Sequence, residues 1–512
     1  MKPSVRAAAA LLILTLVSCT ALPVVHEAAP PAFTVLFFND LHGHLRPFSV
    51  NTDRGKTEVG GIARLATLVN TIRAENAQAG AKTILLIAGD ILQGTPMSTT
   101  FKGEADLACF NRMGVDAAVI GNHEFDFGLD NFLRLQEQAS FPFLSANIVY
   151  RETGRLLARP HVWIPISQGV RLAVIGVTTR DLTTSTSPGN IAGLAVLDPT
   201  RSAVDALGRL SPGEPVILLS HCRHQTDRHT AGAMPRLAAI IGGHDQILLS
   251  PHQRSGNVPI FQAFEKGRYL GRLDFQVDTD TGQARLIRSS YIPVTADIPA
   301  DREVAAIVDH YAGRMDARFN RIIGRAAVFL DGERERIRWE ETNLGNFVTD
   351  VMRRHTGAQV ALVNAGSLRA SIDRGDITVA DVYRAMPYAN ELVTIDLPGK
   401  ALQAALDRSA RGRRLEEDGG FLHVSGVHFT IADGRAQRIM LSPDRRPLDP
   451  EATYRVAITD FLYAGGDGYM VFRDRPAVRT GLTLRELVVD TIGHQKVITD
   501  RIEGRIRREP PP

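Results

Sequence analysis

Five short apolar runs in the first half of this chain each stop at side chains able to bind a cation. Phe33–Phe38 is followed by Asp40 and His42, and Thr83–Ala88 by Asp90. Ala117–Ile120 is followed by Asn122 and His123, Val216–Leu219 by His221, and Ala238–Ile241 by His244 and Gln246. The runs are short and rich in Val, Ile, Leu and Phe, the pattern of strands buried on both faces. Helical stretches such as Ile62–Ala74 and Ala105–Met113 lie between them, and this alternation predicts an α/β sandwich. Open α/β sheets form their functional crevice at the carboxyl ends of their strands, so ligands placed there converge however far apart they are in sequence. Taken singly, each residue has an ordinary explanation, since Asp90 suits a helix cap and His221 a surface histidine. Five strand ends in series do not.

A further run, Leu172–Val177, and two segments patterned as an antiparallel pair, Tyr269–Val277 and Gln283–Tyr291, complete a first domain over 33–300. The charged stretch 301–323 places Val304, Ile307, Val308, Tyr311 and Met315 on one helical face and reads as a linker helix. Residues 324–508 mix helices (Asn343–His355, Val379–Arg384) with strands (Val360–Val363, Leu392–Asp396), which predicts a smaller α+β domain without internal repeats.

The amino terminus has the order of a bacterial export signal over 1–19: Lys2 and Arg6, the apolar run Ala7–Val17, then Ser18 and Cys19. That run is too short to span a bilayer. Leu16-Val17-Ser18-Cys19 resembles a lipobox, in which the cysteine is acylated, so Cys19 is expected to anchor the mature chain. Residues 20–32, rich in Ala and Pro, suit a tether. The expected location is the periplasmic or cell-surface side of a bacterial membrane. A net charge of +3 over 512 residues argues against a general nucleic-acid binder. Cys109 and Cys222 leave one possible disulfide, and the sequence does not say whether they pair.

The series Asn39-Asp40-Leu41-His42, Gly89-Asp90, Gly121-Asn122-His123-Glu124, Ser220-His221 and Gly242-Gly243-His244-Asp245-Gln246 resembles the calcineurin-type metallophosphoesterases. The longer forms Gly121 to Asp126 and Gly60-Gly61-Ile62-Ala63-Arg64 narrow the resemblance to the two-domain bacterial 5′-nucleotidase and UDP-sugar hydrolase family. It implies a four-layer α/β/β/α sandwich followed by a nucleotide-binding α+β domain. It also implies two divalent ions (Zn, Mn, Co or Mg), one held by Asp40, His42 and Gln246, the other by Asn122, His221 and His244, with Asp90 between them. Imidazoles and hard carboxylates suit those metals. His123 corresponds to the family's catalytic histidine, and Asp126 would orient it.

Three pieces of the second half resemble the family's substrate domain: Glu341 to Asn346, Asn364-Ala365-Gly366-Ser367-Leu368-Arg369, and Phe461 to Gly468. They imply that Tyr388 and Phe461 stack on the base, that Asn390 reaches the base or ribose, and that Asp467 takes the ribose hydroxyls. Arg334, Arg338 and Arg369 would meet the ribose or phosphates. Two departures stand out: the turn carries Ala365 and Ser367 where the family has consecutive glycines, and Tyr388 replaces a usual Phe. Side chains at 365 and 367 are expected to narrow the approach of the ribose. The resemblance thus implies a phosphoric monoester hydrolase acting on nucleoside 5′-phosphates, and on UDP-sugars. The alternatives are a 2′,3′-cyclic-nucleotide 2′-phosphodiesterase with 3′-nucleotidase activity and, from another class, a catalytically silent nucleotide-binding surface lipoprotein.

Overall fold

The computed structural model describes residues 32–52, 55–167, 169–278, 280–315, 317–412 and 418–509. The export signal with Cys19, and the tether up to residue 31, lie outside them. Among the described residues no helix is long and apolar enough to cross a membrane.

The buried runs pair into two six-stranded sheets. In the first, the order is Ala284–Pro293, Tyr269–Val277, Ala32–Phe38, Lys82–Ile87, Ala117–Val119 and Phe143–Leu144; in the second it is Gln253–Ser255, Val258–Phe261, Ala239–Ile241, Val216–His221, Val170–Thr178 and His161–Ser167. Ala32–Phe38 and Lys82–Ile87 run parallel with Phe33 opposite Lys82, and Val216–His221 runs parallel to Ala239–Ile241 with Ile217 opposite Ala239. These registers bring the carboxyl ends, and the residues beyond them, to one edge.

Strand alternation builds the layers, because successive side chains point to opposite faces. Phe33, Val35, Phe37, Ile84 and Leu86 meet Leu172, Val174, Ile217 and Leu219 in a core between the sheets. The alternate residues Leu36, Phe38, Leu85 and Ile87 face the helices Ile62–Gln78 and Glu104–Met113. On the far side, Ala173, Ile175, Val216, Leu218 and Ile240 pack against Pro199–Gly208 and His224–Ala233. The result is the four-layer helix–sheet–sheet–helix sandwich. Cys109 and Cys222 are buried in the two different outer cores and are both free.

The helix expected to link the domains spans Arg302–Arg314, capped by the Asp301 carboxylate on the amides of Glu303 and Val304. It is seated on the first domain. Val304, Val308 and Tyr311 enter its core, and the Tyr311 hydroxyl donates to Glu104 at 2.9 Å. The second domain carries a five-stranded sheet ordered Leu422–Ser425, Val360–Asn364, Thr453–Thr459, Glu391–Pro398 and Ala477–Thr483. The helix Asn343–Thr356 covers it, opened by the Thr342 hydroxyl on the Gly345 amide and stopped at Gly357 in the left-handed region.

Phe37 is fully buried between the sheets, edge-on to Phe261 and Tyr291 with centroids 6.3 Å away in each case. Phe37→Ala is expected to cost about 3–5 kcal/mol, read as a lowered midpoint of urea unfolding, because the two packed sheets cannot close the void.

Candidate metal centre and substrate cleft

Asp40, His42, Asp90, Asn122, His221, His244 and Gln246 gather at the carboxyl edge of the two sheets. Five of the seven sit at backbone angles that side chains rarely adopt: φ is 50° at Asp40, 49° at His42, 51° at Asp90, 75° at His244 and 58° at Gln246. Such conformations cost on the order of 1–3 kcal/mol each and persist where the surroundings over-determine them. Here the chain leaves each strand and doubles back at once, and main-chain bonds from one loop to the next hold that geometry. The amide of Asp40 donates to Gly89 O at 3.0 Å, and that of His42 to Asp90 O at 3.1 Å. The His244 amide donates to Asp40 Oδ2 at 2.9 Å.

Two glycines of the motifs are needed for this closeness. A Cβ on Gly89 would lie 2.4 Å from His221 Nδ1, and one on Gly121 would lie 2.3 Å from Asp90 Oδ1. Glu124 ties the loops from below: Oε1 accepts from Ile91 N at 2.8 Å, and Oε2 from Asp90 N at 3.2 Å and Gly121 N at 2.5 Å.

Asp90 stands at the middle. Its Oδ2 lies 3.1 Å from His221 Nε2, 3.9 Å from His123 Nε2 and 4.0 Å from His42 Nε2. Burial would raise the Asp90 carboxyl, but His221 and His123 outweigh it and hold it well below the carboxylate range. Burial likewise opposes charge on His221, yet Asp90 and Asp40 push it up to about 10.

Two overlapping groups have their donor atoms within 4.8 Å of one another, His42–Asp90–His123 and Asp90–His221–His244. Asp40 Oδ1 and Asn122 Oδ1 are buried without a hydrogen-bond partner. Nδ1 of His221 is committed to Ala88 O at 2.7 Å, so Nε2 is the nitrogen turned toward Asp90 and the shared centre. Orphaned buried oxygens and imidazole nitrogens facing a shared carboxylate fit divalent cations.

His123 is held by Asp126, whose Oδ2 lies 2.6 Å from Nδ1. Burial pushes the imidazole toward neutrality, but Asp126 and Asp90 carry its pKa above the ordinary value. Sequence reasoning misses Asp181. Its Oδ2 lies 3.2 Å from His244 Nε2 and accepts from Arg223 Nε at 2.6 Å. A signal for it exists, because Asp181 comes three residues after Val170–Thr178, a further strand end that the series of five leaves out.

The seven residues expected to bind substrate line one cavity of about 940 Å³ between the domains, together with Asp90, Asn122, His123, Asp126, His244 and Gln246. Side chains of the second domain reach across it. Arg334 Nη1 donates to Gln246 Oε1, and the Tyr388 ring stacks on the His123 imidazole with centroids 6.2 Å apart and planes 25° from parallel. The Tyr388 ring thus faces the histidine, whereas Phe461 lies over Gly466 on the loop that carries Asp467. Asp467 adopts φ 51°, with Oδ2 accepting from Asn364 Nδ2 at 2.8 Å and its carbonyl from Arg408 Nε at 3.0 Å. Ala365 is fully buried in the second-domain core and does not line the cavity, so the expected narrowing at that position does not arise; Ser367 does line it.

Comparison with known proteins agrees with both halves. Residues 33–247 match the calcineurin-like phosphoesterase family, and residues 322–474 the 5′-nucleotidase C-terminal domain. The trifunctional nucleotide phosphoesterase protein YfkN of Bacillus subtilis (strain 168) is 32% identical over 93% of this chain, which spans only 35% of that longer protein. Protein UshA of Escherichia coli (strain K12) is 30% identical, the match covering 89% of this chain and 90% of that one. The crystal structure of a 5′-nucleotidase precursor from Thermus thermophilus superposes with a TM-score of 0.83 at 33% identity, covering 94% of this chain and 100% of the other. Phosphoesterase sandwich first and nucleotidase domain second, the chain belongs to the two-domain bacterial 5′-nucleotidase and UDP-sugar hydrolase family.

Proposed function

We propose that the chain is an exported, lipid-anchored 5′-nucleotidase that releases phosphate from nucleoside 5′-phosphates, with UDP-sugars as a second substrate class. The observation that carries this reading is the single cleft in which a cation-binding cluster faces a nucleotide-sized recognition surface from another domain. Two divalent ions would be held by Asp40, His42 and Gln246 on one side and by Asn122, His221 and His244 on the other, with Asp90 shared. When bound, such ions make water a nucleophile near neutral pH and draw off charge from phosphoryl oxygens.

The remaining steps belong to the chain. His123, whose cationic form Asp126 favours, donates its proton to the departing 5′-oxygen. The rings of Tyr388 and Phe461 hold the base by stacking, a contact that tolerates any base and supports broad specificity. Asn390 fixes the base or ribose edge, and Asp467 accepts from the ribose hydroxyls. Arg334, Arg338 and Arg369 meet the phosphates with planar guanidinium forks. Cys19 would keep the enzyme at a bacterial membrane, on its outer or periplasmic side.

The reading is tested by a panel of 5′-AMP, 3′-AMP, cyclic 2′,3′-AMP and UDP-glucose, run with Zn, Mn, Co or Mg after chelation. Phosphate release should vanish with the metal, return on its addition, and be fastest from 5′-AMP. A preference for the cyclic or 3′-substrates would move the chain to the phosphodiesterase reading. No turnover with any metal would leave only nucleotide binding.

His123→Ala should keep both ions and lower kcat by roughly two to four orders of magnitude, as removal of a general acid does. Because His123 Nε2 lies among the candidate donors around Asp90, metal content is the deciding measurement. Loss of one ion per chain would make His123 a ligand. In cells, Cys19→Ala should abolish labelling by a fatty-acid analogue and move the protein from the membrane to the soluble fraction. An unchanged distribution would rule out the anchor.

A further inference from the structure

A buried relay runs from the Asn364–Arg369 turn to the Asp467 loop. Ser367 and Asn364 are both nearly inaccessible, at 5% and 2% exposure, at the wall of the cleft. The Ser367 hydroxyl donates to Asn364 Oδ1 at 2.6 Å, and Asn364 Nδ2 donates to Asp467 Oδ2 at 2.8 Å. The order matters. A carboxamide has two chemically opposite ends, and a neighbour decides which of them faces a given group. The Asp467 carboxylate only accepts, so it draws the NH₂ end of Asn364, and the Ser367 hydroxyl, donating to Oδ1, pins the other end of the amide in place.

Asp467 needs such a hold. It sits at φ 51° between glycines on both sides, in a loop whose backbone offers little stiffness of its own. Arg408 secures the main chain through the Asp467 carbonyl at 3.0 Å and is itself tied to Asp418. Nothing in that second brace fixes the carboxylate rotamer. Among the described residues, Asn364 is the group that does so, and it leaves Asp467 Oδ1 for a ligand.

We propose that Ser367 is a positioning residue for sugar recognition: through Asn364 it fixes the Asp467 carboxylate in the orientation that accepts hydrogen bonds from a vicinal diol, and so sets preference for ribose over hydroxyl-free sugars. This rests on the reading of Asp467 as the ribose-facing carboxylate. It gives the departure at position 367 a role: the side chain there pins the amide at the wall of the pocket, where a glycine would leave its oxygen end unheld. One neutral hydrogen bond of this kind contributes a few-fold to roughly tenfold in affinity.

The test compares Ser367→Ala, Ser367→Gly, Ser367→Thr and Asp467→Ala in the metal-replete enzyme, with 5′-AMP and 2′,3′-dideoxy-AMP as substrates. The Ala and Gly variants should raise KM for 5′-AMP about three- to tenfold with little change in kcat. Their KM for the dideoxy substrate should stay within about twofold of wild type, and Ser367→Thr, which keeps a hydroxyl, should restore discrimination. Gly and Ala perturb packing differently, so agreement between them separates the hydroxyl from the fold. If Asp467→Ala abolishes discrimination while both Ser367 variants retain it, the relay is overturned and the ribose assignment stands. If Asp467→Ala itself still discriminates, the ribose assignment fails, and the relay with it.

Discussion

The carboxyl edge of the sandwich is organised around one buried negative charge. Asp90 is 1% exposed, and a carboxylate removed from water at that depth costs several kcal/mol unless positive charge and hydrogen-bond donors surround it. Three imidazoles converge on its Oδ2, and the amide of His123 donates to Oδ1 at 2.9 Å. Meeting that demand fixes much else. The loops after three of the strands must turn within a few residues of the strand end, which forces left-handed backbone at five ligand positions. Their glycines must leave room for the neighbouring loop, and Glu124 must occupy the amides beneath. On the proposed reading, a divalent cation bound there would displace the protons shared among these groups.

The first domain alone carries no information about what leaves with the phosphate. On the proposed reading that information lies across the cleft, where rings, guanidinium forks and a carboxylate of the second domain line the wall. The division has a physical advantage. Stacking and ribose contacts can be altered by single substitutions on the Asn364–Arg369 turn or the Asp467 loop without disturbing the strained loops around Asp90. Position 367 illustrates this, since a serine there lines the recognition wall yet touches none of the cation donors.

Much of this was legible because the chemistry-bearing residues follow the strands directly. Apolar runs located the strands to within one or two residues: Phe33–Phe38 against Ala32–Phe38, and Val216–Leu219 against Val216–His221. Strand ends then located the candidate ligands. What the sequence did not reveal depends on the third dimension. Asp181 reaches His244 across a loop whose composition, Thr178 to Thr184, looks like an ordinary polar connection. The Ser367–Asn364–Asp467 relay joins residues a hundred positions apart, and in sequence Ser367 reads as an obstacle where the structure makes it a brace. Ala365 erred the other way, expected at the pocket but buried in the core because a residue's face is set by local backbone direction.

The seating of the Arg302–Arg314 helix constrains how the two halves could move. Val304, Val308 and Tyr311 seat it in the core of the first domain, so on the proposed reading it would travel with that domain. Polar and aromatic side chains join the halves at the cleft, Arg334 on Gln246 and Tyr388 on His123, and the exposed pair Lys56–Asp373 joins them elsewhere at 2.7 Å. On the proposed reading, a nucleotide gripped by its base in one domain and hydrolysed at phosphorus in the other requires the halves to meet in each turnover. Gln246 lies at that meeting point, its amide shared between His42 Nε2 at 2.6 Å and Arg334. It is also the only neutral carboxamide proposed for the first ion. On the proposed reading, a ligand of the first ion is thus also a contact of the second domain, which would tie the arrangement of the domains to the occupancy of that site.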